Sequence, residues 1–272
     1  MRRCRIPMLN ISKGFTLIEL AVVLFLVALV LGGVMTPLST RIEQEERKKT
    51  EVVLAEIKES LIGYTLVNGH LPCPDCFVDG ASCGTGTAIT DDGFEDGLDS
   101  TTAAVTGPRA IDFNQCIVEV GYLPWATLGV SQFDAWGNRF MYSVDSNFAD
   151  DNDGTPATAN CPATVPATSN VSFKICSLGD MNVWENGGAT PTNQVASNVS
   201  ALVLSHGANG NPFGGTAPTS ADEVENWWTD VVDRNFVSDD YNTSTANQYD
   251  DMVIWITPAT LIYKMINAER LP

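Results

Sequence analysis

The chain has 272 residues, enough for one or two domains with a sizeable core. Its 33 acidic residues outnumber 15 basic ones, a formal net charge of −18. That excludes a general nucleic-acid binder, which needs a cationic face to displace counterions from phosphates. With 44% hydrophobic residues, 6 Trp and 11 Phe, it is not an acidic disordered chain either.

The first fourteen residues carry Arg2, Arg3, Arg5 and Lys13 and no acid. An apolar run follows, and from Leu20 to Thr40 there are 21 consecutive uncharged residues. A helix needs on the order of 20 such residues to cross a bilayer. Basic residues before the span hold that end in the cytoplasm, which leaves the rest of the chain outside. Glu19 sits inside the apolar segment. A carboxylate at mid-membrane depth costs roughly 2.5–3.5 kcal/mol on insertion scales, so it demands a partner.

Gly14-Phe15-Thr16-Leu17-Ile18-Glu19-Leu20 resembles the leader junction of type IV pilins and type II secretion pseudopilins. The resemblance implies cleavage after Gly14 by a prepilin peptidase and methylation of Phe15 as the new N-terminus. It implies that Glu19 complements the N-terminal amine of a neighbouring subunit during assembly. The partners expected are therefore the peptidase, other pilin or pseudopilin subunits and the inner membrane, with no nucleic acid on the head. The expected location is the inner membrane, crossed once with the N-terminus in the cytoplasm and the head in the periplasm, and afterwards a pilus or pseudopilus.

Gly32, Gly33 and Pro37 predict a bend or loosening of the first helix. Residues 41–59 lack Gly and Pro, and Leu54, Ile57, Leu61 and Tyr64 recur at steps of three and four, one apolar stripe for docking on a head. The charged residues Glu43, Glu45, Glu46, Lys48 and Lys49 read as a solvated face. The helix is expected to end near Val67, roughly 80 Å from its start at 1.5 Å per residue. Expected segments are a leader (1–14), a membrane and filament-core helix (15–40), its continuation (41–67) and a β-rich extracytoplasmic head (68–272).

The stretches Ser60 to Asp75, Gly121 to Gly129, Asp134 to Tyr142 and Asp250 to Ile256 are similar to motifs of a minor-pilin-like subgroup. Trp136-Gly137-Asn138 is a turn signal. Strands are expected within Phe140–Val144, Val171–Ile175, Ala201–Ser205 and Asp250–Thr257, with a C-terminal helix over Ala259–Ala268. The fold class is α+β: a long N-terminal helix packed on a small antiparallel sheet with long, disulfide-bonded loops.

Of the seven cysteines, Cys4 belongs to the leader. Cys73, Cys76, Cys83, Cys116, Cys161 and Cys176 remain, and six allow fifteen connectivities. The pairing expected is Cys73–Cys116, Cys161–Cys176 and Cys76–Cys83. The Cys73-Pro74-Asp75-Cys76 spacing lacks both a thioredoxin-type βαβ setting and a second close pair of zinc ligands.

Asp91, Asp92, Glu95, Asp96 and Asp99, and Asp150, Asp151 and Asp153, read as solvated acidic loops outside the EF-hand register. Ser205-His206-Gly207-Ala208-Asn209-Gly210, then Asp222-Glu223, then Asp250-Asp251 ahead of Trp255, resembles the calcium loop of major pseudopilins, interrupted here by an insertion at 224–249. That resemblance implies Asp222, Asp250 and Asp251 as ligands of a structural Ca²⁺, the one cofactor expected. Only His70 and His206 are available for acid–base chemistry, so no enzyme is expected. Trp227 and Trp228 read as packing residues on opposite faces of a strand. The function expected is a structural subunit of a type IV pilus or pseudopilus. The alternative is a membrane-anchored periplasmic binding or adhesive module that does not polymerise.

Overall fold

A computed structural model describes residues 14, 16–77, 91–98, 104–106, 115–149, 161–162, 168, 171–188, 190–210, 218–227, 233–244 and 247–271, without the side chains at 30–39, 98, 104–106 and 115. The chain divides into two compact units, Met1–Glu45 and Glu46–Pro272.

Helix α1 (Leu17–Asn68) begins in the first unit. It continues through Gly32, Gly33 and Pro37 without interruption, so the expected break is not a change of secondary structure. Among the described residues no helix is long and apolar enough to cross a membrane.

In the second unit, α1 ends at Asn68, where Gly69 takes a positive φ of 88°. Leu54, Ile57 and Leu61 are buried and Tyr64 is partly so. Glu45, Lys48 and Lys49 are exposed, as a solvated face requires, whereas Glu43 and Glu46 are half-buried.

The described strands are β1 (Asp96–Leu98), β2 (Ala104–Thr106), β3 (Gln115–Cys116), β4 (Val120–Tyr122), β5 (Met141–Val144), β6 (Met181–Asn186), β7 (Thr192–Val199), β8 (Ala201–Ser205), β9 (Asn235–Val237) and β10 (Met252–Ile256). The described helices after α1 are α2 (Trp125–Leu128), α3 (Ser146–Ala149), α4 (Ala221–Glu225) and α5 (Pro258–Asn267). Among the described residues the expected single sheet is three: β2-β1-β3, the central β10-β8-β5-β4, and β7-β6-β9. The first two are antiparallel, as expected, but β6 pairs with β9 in parallel. The fold class is α+β.

Both faces of the central sheet are covered. Tyr142, Val144 and Val203 pack with Leu54, Ile57 and Leu61 of α1 and with Leu261 and Met265 of α5. Met141, Leu202 and Leu204 point the other way and pack with Met181, Val183, Val199 and Phe236 of the third sheet. Two covered faces explain why all five residues of β8 are buried without alternation. Val171–Ile175 is not a strand. Val171 and Phe173 are buried, but Ser172 bonds to the Gly69 and Phe148 carbonyls instead of a ladder.

Among the described residues two disulfides tie the head, Cys73–Cys116 and Cys161–Cys176. Cys76 is buried. Cys83 lies outside the described residues, as do Cys4, Phe15, Asp99, Asp150, Asp151, Asp153 and Trp228.

Candidate functional site

In the first unit, Gly14 and Glu19 are exposed. Thr16 and Glu19 cap the start of α1 reciprocally. The Thr16 amide donates to Glu19 Oε2 at 3.5 Å, and the Glu19 amide donates to Thr16 Oγ1 at 3.4 Å. This long capping box satisfies two donors that a helix start leaves open. Its signature, threonine and then glutamate three residues on before an apolar run, is present in the sequence, where the family resemblance gives Glu19 only an assembly role.

The second candidate site lies in the second unit, where β8 and β10 run antiparallel with Ser205 opposite Met252. That register sets the loop after β8 beside Asp250 and Asp251, just ahead of β10. Gly207 turns the loop with φ +59°, and a Cβ there would lie 2.6 Å from the Asp250 carbonyl. The Ala208 and Asn209 amides donate to Asp250 Oδ2 at 2.9 and 3.3 Å. The Asp134–Asn138 turn buttresses the loop. Ser205 donates to Asp134 Oδ2 at 2.7 Å, and the Asn138 side chain donates to the Gly207 carbonyl at 2.6 Å.

α4 brings Glu223 to the same place. Its carboxylate accepts from the Asn209 side chain at 3.0 and 3.1 Å and from the Asp250 amide at 3.2 Å. Neighbouring helix residues point about 100° apart, so Asp222 faces elsewhere. Its carboxylate caps the Gly187 amide at 2.7 Å. Asn226, just past α4, exchanges two hydrogen bonds with the Val237 backbone and donates to Asp251 Oδ2 at 2.8 Å. The 224–249 insertion thus supplies α4's last residues, Asn226 and β9, which position Asp251 instead of displacing it.

The ligand atoms of Glu223, Asp250 and Asp251 lie within 4.8 Å of one another, and all three residues are buried. Burial, and then the Asp250 and Asp251 carboxylates beside it, push Glu223 up to about 8. Burial likewise raises Asp250. Among the described residues no Lys or Arg pairs with these carboxylates, and Asp250 Oδ1 is buried without a hydrogen-bond partner. Three hard oxygen donors at this spacing, one of them unsatisfied, fit a Ca²⁺ ion, whose oxygen ligands sit at about 2.3–2.6 Å.

A cavity of about 200 Å³ opens beside the cluster, lined by His206, Glu223, Trp227 and Asp251 among others. His206 Nδ1 is 3.3 Å from Asp251 Oδ1, and its ring meets Trp227 edge-on at 6.0 Å. Trp227 is buried where the chain leaves α4, not on the expected strand.

The acidic stretch from Asp91 to Asp96 is not the expected solvated loop. Glu95 and Asp96 are buried with Asp75, Asp92 is half-buried, and only Asp91 of the described members is exposed. Tyr64 donates to Glu95 at 2.6 Å, and burial raises the Glu95 pKa. Asp75 caps the Asp91 and Gly93 amides, and burial, with Asp96 and Asp92 nearby, pushes it up to about 8. These carboxylates tie the segment after Cys73 to the end of α1. His70 is partly exposed at that end and contacts Tyr64 edge-on.

Residues 9–35 match the family model of the prokaryotic N-terminal methylation motif. The chain carries the leader of type IV pilins and pseudopilins. No curated protein and no solved structure matches it. A pilin-type leader implies processing by a prepilin peptidase and assembly with other pilins. The Thr16–Glu19 capping box lies within the matched segment.

Proposed function

We propose that this chain is a structural subunit of a type IV pilus or type II secretion pseudopilus. It is cleaved after Gly14, N-methylated at Phe15 and anchored in the inner membrane with its head in the periplasm. It then assembles through α1. The observation that carries this reading is the methylation motif at residues 9–35 with Glu19 inside it. The work of such a subunit is mechanical and interfacial, not catalytic. Long loops in the head favour a minor or tip subunit over the main repeating one. A structural Ca²⁺ held by Glu223, Asp250 and Asp251 stiffens the junction of β8, α4 and β10.

Glu19 tests the reading, with its capping role kept separate from its charge. Glu19→Gln keeps hydrogen-bonding oxygen and removes the charge, whereas Glu19→Ala also removes its half of the capping box. Both variants are expected to accumulate as cleaved, membrane-bound protein and to be lost from sheared filaments. Normal incorporation of both refutes the structural-subunit reading. It would favour the rival one, a membrane-anchored binding module, which the cavity beside Trp227 supports.

A further inference from the structure

The ring and carboxylate groups lining the cavity beside the acidic cluster share one hydrogen-bonding character. His206 is 2% exposed, lines the cavity, and leaves Nε2 buried without a partner. Its Nδ1 faces the Asp251 carboxylate at 3.3 Å. A carboxylate accepts hydrogen bonds, so this contact favours the Nδ1–H tautomer, whose Nε2 is an acceptor. Glu223 and Asp251 add carboxylate oxygens to the same lining, and among the described residues neither Lys nor Arg lines it. His206, Glu223 and Asp251 call for a donor, and charge favours a cation, while Thr219 and Gln248 of the same lining can donate or accept.

The cavity is larger than a bare ion fills. About 200 Å³ holds roughly seven waters at about 30 Å³ each. Trp227 and Pro218 give the cavity an apolar side, and an indole face attracts a cation.

We propose that this cavity binds a primary alkylammonium group, with its N–H donors on His206 Nε2 and the Glu223 and Asp251 carboxylates and its alkyl body against Trp227. The ammonium belongs either to a free small amine or to the lysine side chain of another chain. The inference does not rest on the filament reading; it shares Glu223 and Asp251 with the calcium reading, so an ammonium and Ca²⁺ are alternative occupants of those carboxylates.

The test is isothermal titration of the full chain in detergent micelles at pH 8, where an alkylamine with a pKa of about 10.4 is cationic. The probes are n-butylamine, the neutral n-butanol, the capped peptide Gly-Lys-Gly and calcium chloride. Saturable one-to-one binding of butylammonium and none of butanol is expected. A hydrogen bond to a charged group predicts binding weakened about 10-fold or more in His206→Phe and in Glu223→Gln. Calcium binding is expected to survive in His206→Phe, which keeps all three carboxylates.

Peptide binding comparable to butylammonium assigns the site to a lysine side chain, and preference for butylammonium assigns it to a free amine. Absence of saturable amine binding overturns the inference, even if calcium binds. Equal binding of butanol, or undiminished amine binding by Glu223→Gln and a His206→Phe variant of native circular dichroism, also overturns it. If His206→Phe fails to fold, the nearly isosteric Glu223→Gln decides in its place.

Discussion

Removal of the Cys73–Cys116 disulfide tests how the head is held together. This bond closes a 43-residue separation between the segment after α1 and β3, and both cysteines are buried. On the chain-entropy account, such a loop constrains the unfolded state by about 4 kcal/mol. The 15-residue separation of Cys161–Cys176 gives about 3 kcal/mol. For a domain of this size each kcal/mol moves the melting temperature by about 2–4 °C. The double variant Cys73→Ala/Cys116→Ala is therefore expected to melt about 8–16 °C below the parent, and Cys161→Ala/Cys176→Ala about 6–12 °C below. The ordering should be widened by burial, because Cys73 and Cys116 are core residues whereas Cys161 is partly exposed and Cys176 lies in the loop that follows the buried Phe173. Circular dichroism melts of the full chain in detergent, without reductant, supply the measurement. A Cys73/Cys116 variant within about 3 °C of the parent refutes the reasoning, as does one more stable than the Cys161/Cys176 variant.

Leu61→Ala, at a fully buried position on α1, should cost about 2–5 kcal/mol in denaturant unfolding of the head, whereas Lys48→Ala on the exposed face should stay within about 0.5 kcal/mol. Gly207→Ala combines a left-handed φ with a Cβ 2.6 Å from the Asp250 carbonyl, so a loss of about 2 kcal/mol or more is expected in the same assay. The raised pKa of Glu223 sets a pH dependence. The folded state keeps a proton up to about pH 8 that the unfolded chain releases near 4.5, so in chelator the contribution is full below about 4.5 and fades as pH rises to 8. Melting temperatures between pH 5 and 8 should fall less steeply in Glu223→Gln. Calcium should raise the parent's melting temperature at pH 8, and an unmoved value counts against the metal reading.

The parts of the fold legible in the sequence are those where a local pattern meets one buried face. The Leu54, Ile57 and Leu61 stripe reads directly because α1 covers the sheet on one side only. The short runs at 201–205 and 252–256 read as strands for their β-branched and apolar content. Val171–Ile175 shows why that signal misleads. Val171 and Phe173 are buried, yet the segment fills the core without pairing, and composition reports burial more surely than it reports ladder bonds. The parallel β6–β9 pair is not legible, because its two strands are separated by about fifty residues and β9 is held by the Asn226 side chain just past α4.

The acidic cluster is half legible for a related reason. Asp250 and Asp251 precede a readable strand, but choosing between Asp222 and Glu223 depends on the phase of α4, a helix of five residues that leaves no periodic trace. Energetics narrow what the cluster can do. Burying a carboxylate costs several kcal/mol unless its charge is compensated. Here the compensating donors are the Ala208, Asn209 and Asp250 amides, the Asn209 and Asn226 side chains, and the His206 ring at Asp251 Oδ1. Neutral donors satisfy oxygen lone pairs but leave most of the mutual repulsion of three carboxylates in place. Something positive must offset it, and a proton on Glu223 is the smallest such charge. A cation and that proton are therefore alternatives at one site. Cation binding at neutral pH should release a proton, and the number released should fall towards zero once the pH passes well above the raised Glu223 pKa of about 8. Titration in buffers of different ionisation enthalpy measures it, and a release of zero at pH 7 would separate the cation's site from Glu223.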